Sequence, residues 1–396
     1  MGKTRPQKKK GSKPREKSVL SPGGAVSKQK KEDPSALLDQ ATILLQTGQI
    51  EDALQLVNKA LDLTTDSPSQ LAALNLAAEI YVELGDIDTA RAHFLRAVQL
   101  DPTGTIPESQ GGGAEKFLWL AQLSEKGGSD SVQWFEKGVS ALRQTIQNLE
   151  GSGRPEDVAE TEEKKRKLAN ALCGVAEIYM TDLSWEDDAE NRCESLVTEA
   201  LLVYPDAPEV LQTLASIRIS QLRHDDARAA LSRSIDLWKD LPPEDPNVPD
   251  YATRISLSRL LMEATMELEA LGVLERLILE DDQSVEAWYL GGWCLYLLAE
   301  KQQAPSDAEV EDTPETKRHA SLVASREWLK QSLKLYEALQ YEDERLRDHA
   351  LELVQDMNKE LGEDMEDDSN AEDDGGDENE WEEVEESDED HEMADS

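Results

Sequence analysis

Glu79 and Glu83 stand four residues apart, and Glu286, Tyr289, Trp293 and Tyr296 follow one another at intervals of three and four. In a helix, residues so spaced share one face. Carboxylates on such a face attract Lys and Arg, and aromatic rings can stack on a guanidinium or cover an apolar anchor. Asn75, Glu177, Gln212, Ser216, Met262 and Glu263 occupy the corresponding stripe of other helical segments. Together these residues outline a surface, acidic with an aromatic end, suited to a basic polypeptide. The same spacing also fits a solvated glutamate face with the Trp and Tyr residues in the core.

Catalytic and cofactor chemistry has no comparable pattern. There is no G-x-x-x-x-G-K-[ST] or G-x-G-x-x-G motif, and Gly111-Gly112-Gly113 lies in a loop without a phosphate-binding lysine. His93, His224, His319, His349 and His391 lack metal-ligand spacing, and His93 and His224 read as helix-surface residues. Cys173, Cys193 and Cys294 are odd in number and have no C-x-x-C spacing; they read as small buried residues rather than disulfide or zinc ligands. The acidic stretches lack the spacing of an EF-hand loop. The expectation is a binding protein without cofactor or metal, and not an enzyme.

The elements that must carry the stripe recur. Gly48, Ile50, Ala53, Val57 and Ala60-Leu61 return 37 residues later as Gly85, Ile87, Ala90, Phe94 and Ala97-Val98, with Pro102 closing the second copy. Two helices of a hairpin approach closely only where side chains are short, so Ala41 and Ala78 must face Ala53 and Ala90. Gly48 and Gly85 sit at the turns, where glycine adopts angles other residues reach only with strain. The pattern resembles the tetratricopeptide repeat, whose first helices line an inner groove. Further copies run from about Leu168 (Ala176, Ala189, Cys193), through Leu211, Ala215 and Ala227, through 251–282, and from Ala287-Trp288-Tyr289. The last is split by an acidic insertion at 300–317. Residues 115–150 are helical in period but keep few repeat markers, and a helix from about Glu342 to Leu361 would cap the end.

No alternating strand pattern competes, so the fold class expected is all-α: a right-handed superhelical tetratricopeptide-repeat solenoid of about seven helix-turn-helix units plus a capping helix, one domain over 32–362. A carboxylate clamp of the heat-shock-chaperone kind would need Lys or Arg on the stripe in three consecutive units; only Asn75 fits.

The chain carries 84 acidic and 41 basic residues, a net charge of −43. Residues 1–31 hold a net +10, residues 363–396 a net −20, and the stretch between them the remaining −33. An acidic body repels nucleic acid and attracts basic chains. The two ends are too polar and charged to form a core and read as disordered. No apolar stretch approaches the roughly 18 residues that span a bilayer, and the start has no signal-peptide core. The expectation is an intracellular protein without direct membrane or nucleic-acid contact. Lys8-Lys9-Lys10 with Lys13 and Arg15 is either a nuclear-import signal or a solvated run.

The layout as a whole, with its Lys-rich leader, Pro-Ser-Ala-Leu-Leu-Asp-Gln-Ala first repeat, Ala287-Trp288-Tyr289-Leu290-Gly291-Gly292-Trp293-Cys294 and acidic end Glu380-Trp381-Glu382-Glu383-Val384, resembles the fungal dedicated assembly chaperones of large-subunit ribosomal protein four. That resemblance implies a cytoplasmic and nuclear protein that captures the newly made ribosomal protein, shields its long basic internal loop, accompanies it into the nucleus with an import receptor acting through the client, and hands it to a pre-ribosome. An acidic histone chaperone or a nuclear-transport adaptor would share the charge logic.

Overall fold

A computed structural model describes residues 33–64, 68–302 and 314–362. The basic leader, the acidic tail and most of the acidic insertion lie outside the described residues. Among those described there is no strand, and fifteen α-helices fall into two compact units, each an array of antiparallel helix pairs. The stretch 32–362, taken from sequence as one domain, is thus shared between these units.

The first unit holds α1 (Pro34–Gln46), α2 (Ile50–Leu63), α3 (Pro68–Glu83), α4 (Ile87–Leu100), a 3₁₀ turn at Glu108–Gln110 and α5 (Glu115–Gln122). A long helix, α6 (Gly128–Ser152), gives its middle, 136–145, to this unit and its two ends to the second. The second unit continues with α7 (Asp157–Met180), α8 (Ala189–Val203), α9 (Pro208–Ser220), α10 (His224–Asp236), α11 (Tyr251–Glu263), α12 (Glu267–Glu280), α13 (Val285–Gln302), α14 (Pro314–Leu339) and α15 (Glu344–Leu361). The all-α tetratricopeptide-repeat class is the one observed, and the expected seven units and cap correspond to the seven helix pairs and α15. The third pair departs most from the pattern: α5 has 8 residues and α6 has 25.

Ala41, Ala53, Ala78 and Ala90 are fully buried, as the hairpin argument requires. Gly48 and Gly85 both have φ of +76°. At each turn the residue with positive φ donates its N–H to the carbonyl three back, and the next residue donates to the carbonyl five back of itself: Gly48 to Leu45 and Gln49 to Leu44, Gly85 to Val82 and Asp86 to Tyr81. Leu222 (φ +60°) and Thr265 (φ +62°) repeat these two bonds in the α9–α10 and α11–α12 turns. These two side chains hold a conformation that favours glycine, at a cost of about 1–2 kcal/mol each. Helices α13 and α14 approach closely: a Cβ on Gly291 would overlap Trp328 at 2.1 Å, and Ser325 Oγ donates to the Gly292 carbonyl at 2.7 Å.

Between α4 and α5 the chain buries an ion pair. Lys116 Nζ lies 2.8 Å from Asp101 Oδ2 and 2.5 Å from the Gly113 carbonyl, with both side chains almost wholly inaccessible. Burial lowers the Lys116 pKa and Asp101 opposes that shift. Removing one partner of such a pair strands a charge. Asp101→Ala should therefore destabilise the first unit by about 3–5 kcal/mol in urea unfolding, and adding Lys116→Met to it should recover most of the loss. Equal losses in the single and double variants would show that the pair does not carry this segment.

Candidate functional site

The predicted residues fall on first helices, in two groups. In the first unit, Asn75, Glu79 and Glu83 lie on α3. Asn75 is drawn into the fold: its Nδ2 donates to the Gly111 carbonyl at 2.7 Å, tying the loop before α5 to α3. Glu79 is half-buried and Glu83 exposed.

In the second unit the first helices α7, α9, α11 and α13 pack side by side in that order. Glu177 on α7 is exposed overall, yet crowding around its carboxyl raises its pKa, and a hydrogen bond from Thr213 on α9 counters the shift. Gln212 is buried and Ser216 half-buried. Met262 belongs to the core around α11 and α12, while its neighbour Glu263 is exposed. Glu286 is half-buried and paired with Arg259. The acidic face is therefore thinner than its sequence suggests, with Glu177 and Glu263 its exposed carboxylates among the predicted residues of this unit.

The aromatic end is real but partly covered. Tyr289 and Trp293, rings 5.9 Å apart, are half-buried and pack toward α15 along with Tyr296. Tyr289 Oη is 2.7 Å from His349 Nδ1, and the Trp293 ring meets His349 edge-on at 5.0 Å. Burial first, and the Asp343 charge second, push the Tyr289 pKa to about 12, so the phenol stays protonated at neutral pH. Beside these rings opens a cavity of about 550 Å³. Met262, Glu263 and Arg259 of α11, Tyr289, Leu290, Trp293 and Leu297 of α13, and Asp343, Arg345 and Leu346 at the start of α15 line it. Its volume falls in the roughly 300–1,000 Å³ range of ligand sites. An apolar floor edged by Glu263 and Asp343 on one hand and Arg259 and Arg345 on the other can take an aliphatic side chain or a ring.

Arg259, Asp343, Arg345, Leu346 and His349 were not identified from sequence. The cap residues lie some fifty or more positions beyond α13's stripe, with no shared period to link them; Arg259 could have been found, three residues before Met262 on the same helix. His93 also differs from the surface residue expected: it stacks on Tyr81 at 5.4 Å, and burial, then Arg96, lowers its pKa. The three cysteines are free and buried as expected, and burial raises Cys173 and Cys294 to about 12, which keeps them as inert thiols. Among the described residues no His/Cys/Asp/Glu cluster could hold a metal, and no helix is long and apolar enough to cross a membrane.

The tetratricopeptide repeat family matches at residues 32–103, the first two helix pairs. A protein of Emericella nidulans named "Probable assembly chaperone of rpl4" is 68% identical over 402 residues, covering 100% of both chains. The chain belongs to that family. A Schizosaccharomyces pombe protein of the same name is 34% identical over 308 residues, covering 78% of this chain and 85% of its own. The solved structure titled "Assembly Chaperone of RpL4 (Acl4) (Residues 1-338)" is 54% identical, with a TM-score of 0.64, over 69% of this chain and 99% of that one.

Because Trp293 packs on the cap, Trp293→Ala should do more than empty a groove. We expect a loss of stability below the roughly 3–5 kcal/mol of a fully buried Trp, with faster amide exchange in α15. An unchanged melting temperature and unchanged α15 exchange would leave Trp293 as a groove residue alone.

Proposed function

We propose that this family member is a dedicated chaperone of newly made rpl4, which binds the client's basic internal loop along the first-helix faces and hands it to nuclear pre-ribosomes. The reading is supported by 68% identity over the whole chain to a protein named "Probable assembly chaperone of rpl4". The acidic body supports it: a basic segment that is unfolded until it meets RNA needs a partner of opposite charge, and charge complementarity speeds capture and suppresses wrong partners. In this reading the cavity between α11, α13 and α15 takes an apolar anchor while Glu83, Glu177 and Glu263 meet Lys and Arg. The protein moves between cytoplasm and nucleus, with an import receptor engaged through the client, and neither membrane nor nucleic acid is bound directly. The 20 acidic residues of the tail, without a single Lys or Arg, raise the local negative charge and so the association rate. No catalytic step is assigned.

Glu263→Lys combined with Glu83→Lys should weaken binding of purified rpl4 by about tenfold or more at low salt, about 1.4 kcal/mol per factor of ten, with the difference shrinking as salt screens it. Melting should stay nearly unchanged, since exposed substitutions usually fall within about 0.5 kcal/mol. Unaltered affinity would remove these carboxylates from the site. Recovery of stoichiometric histones without rpl4 from cell extract would replace the client.

Truncation after Leu361 should leave a protein that still binds rpl4, with slower association at low salt and little difference at high salt. Loss of all binding would make the tail part of the site itself, and unchanged kinetics at every salt concentration would remove its steering role.

A further inference from the structure

Along one edge of the second unit, three successive turns present a large apolar side chain to solvent. Trp185 stands in the α7–α8 turn and is 77% exposed, Leu222 follows α9 and is 79% exposed, and Leu268 begins α12 and is 70% exposed. Side-chain bonds hold these turns beside one another. Gln221 donates to Glu190 at the start of α8 at 3.1 Å, Arg228 at the start of α10 donates to the Ala264 carbonyl at 3.4 Å, and Lys301 at the end of α13 donates to the Thr265 carbonyl at 3.4 Å.

Exposed leucines are ordinary when single: Leu202 and Leu279, at the far ends of α8 and α12, are 80% and 87% exposed. Leu222 differs, because it stands where the fold asks for glycine. Its φ is +60°, the left-handed angle that Gly48 and Gly85 hold at the same point of their own turns. A leucine there carries the strain and, being exposed, gains no burial in return. A strained apolar residue left in solvent points to a use outside the folded chain. Trp185 is fixed rather than loose, since its Nε1 donates to the Asp182 carbonyl at 3.0 Å and holds the exposed ring in one orientation.

Charge selects the occupant. Four cations along the edge are each met by a carboxylate: Arg192 by Asp188 at 2.7 Å, Arg223 by Asp226 at 2.6 Å, Arg228 by Asp225 at 2.5 Å, and Lys301 by Glu267. Asp187, Glu190 and Glu269 are exposed and pair with no cation among the described residues. The edge therefore keeps a surplus of negative charge. A second copy of the chain, or its own acidic tail, would add carboxylates to that surplus, whereas a basic segment neutralises it.

We propose that this edge docks a basic segment of the client that carries large apolar side chains, running off the first-helix face across the three turns and seating those side chains on Trp185, Leu222 and Leu268, with Lys or Arg against Asp187, Glu190 and Glu269. The inference rests on the reading that the client lies along the first helices, whose C-terminal ends run directly into these turns. Contact at the turns leaves the bodies of α8, α10 and α12 uncovered.

The test is calorimetric titration of the full chain with purified rpl4. The triple variant Trp185→Ser, Leu222→Gly, Leu268→Ser should bind at least tenfold more weakly than the unaltered chain, while the pair Leu202→Ser, Leu279→Ser should bind as the unaltered chain does. Leu222→Gly alone should raise the melting temperature and weaken binding together. A benzophenone side chain in place of Leu222 should crosslink to rpl4. Failure of the unaltered chain to bind rpl4 would overturn the reading on which the proposal rests. Binding of rpl4 by the unaltered chain with no loss in the triple variant, an equal loss in the Leu202→Ser, Leu279→Ser pair, or crosslinks confined to a second copy or to the chain's own tail would overturn the proposal and leave that reading intact.

Discussion

How closely two helices of a hairpin can approach is decided by the side chains between them, and in this protein those are alanines or residues made to behave like alanine. Ala41 and Ala53 in the first pair, Ala78 and Ala90 in the second, and Ala215 and Ala227 in the fifth are all fully buried, twelve residues apart. In the sixth pair the first of these positions is Ser258, also fully buried, whose hydroxyl is answered by the Arg254 carbonyl four residues back at 2.9 Å; Ala270 follows twelve later. Contact at this point sets the length of the turn, and the turn then demands a positive φ seven residues after the first alanine. Gly48 and Gly85 meet that demand without strain. Leu222 and Thr265 meet it at a cost that the packing around them must cover. With the hairpin fixed in this way, the exposed stripe of each first helix follows from helical geometry.

That dependence explains what the sequence made legible. Small residues at fixed spacing could be seen along the chain, so the pairs, their order and the cap could be placed, and the stripe residues could be assigned to first helices. The turns at Leu222 and Thr265 could not be recognised by residue type, because only their register with Ala215 and Ser258 marks them. The third pair was only partly legible: its segment is held by the buried Lys116–Asp101 pair and by Asn75 reaching Gly111, polar contacts that leave no periodic trace.

The candidate site divides along the same line. Tyr289 and Trp293 were found by spacing, but their setting depends on α15, whose Asp343, Leu346 and His349 arrive from a distant part of the chain. Charge was legible in total and less so in detail. Asp33, Asp86, Asp250 and Asp343 cap helices by accepting backbone N–H bonds. Glu194 is held below the usual carboxylate range, chiefly by its hydrogen bond from Arg218, and Glu280 likewise by Arg254. Acidic residues used in this way stabilise the helix array. Those left over, such as Glu83, Glu177 and Glu263, are the exposed carboxylates of the first helices.

The central claim is that a basic ribosomal client lies against the first helices. Hydrogen exchange of the full chain, free and saturated with purified rpl4, tests it most directly. The account predicts added protection along α3, α7, α9, α11 and α13 and at the start of α15, with α8, α10 and α12 unchanged. Protection confined to α8, α10 and α12, or no protection in either set despite a stable complex, would contradict it.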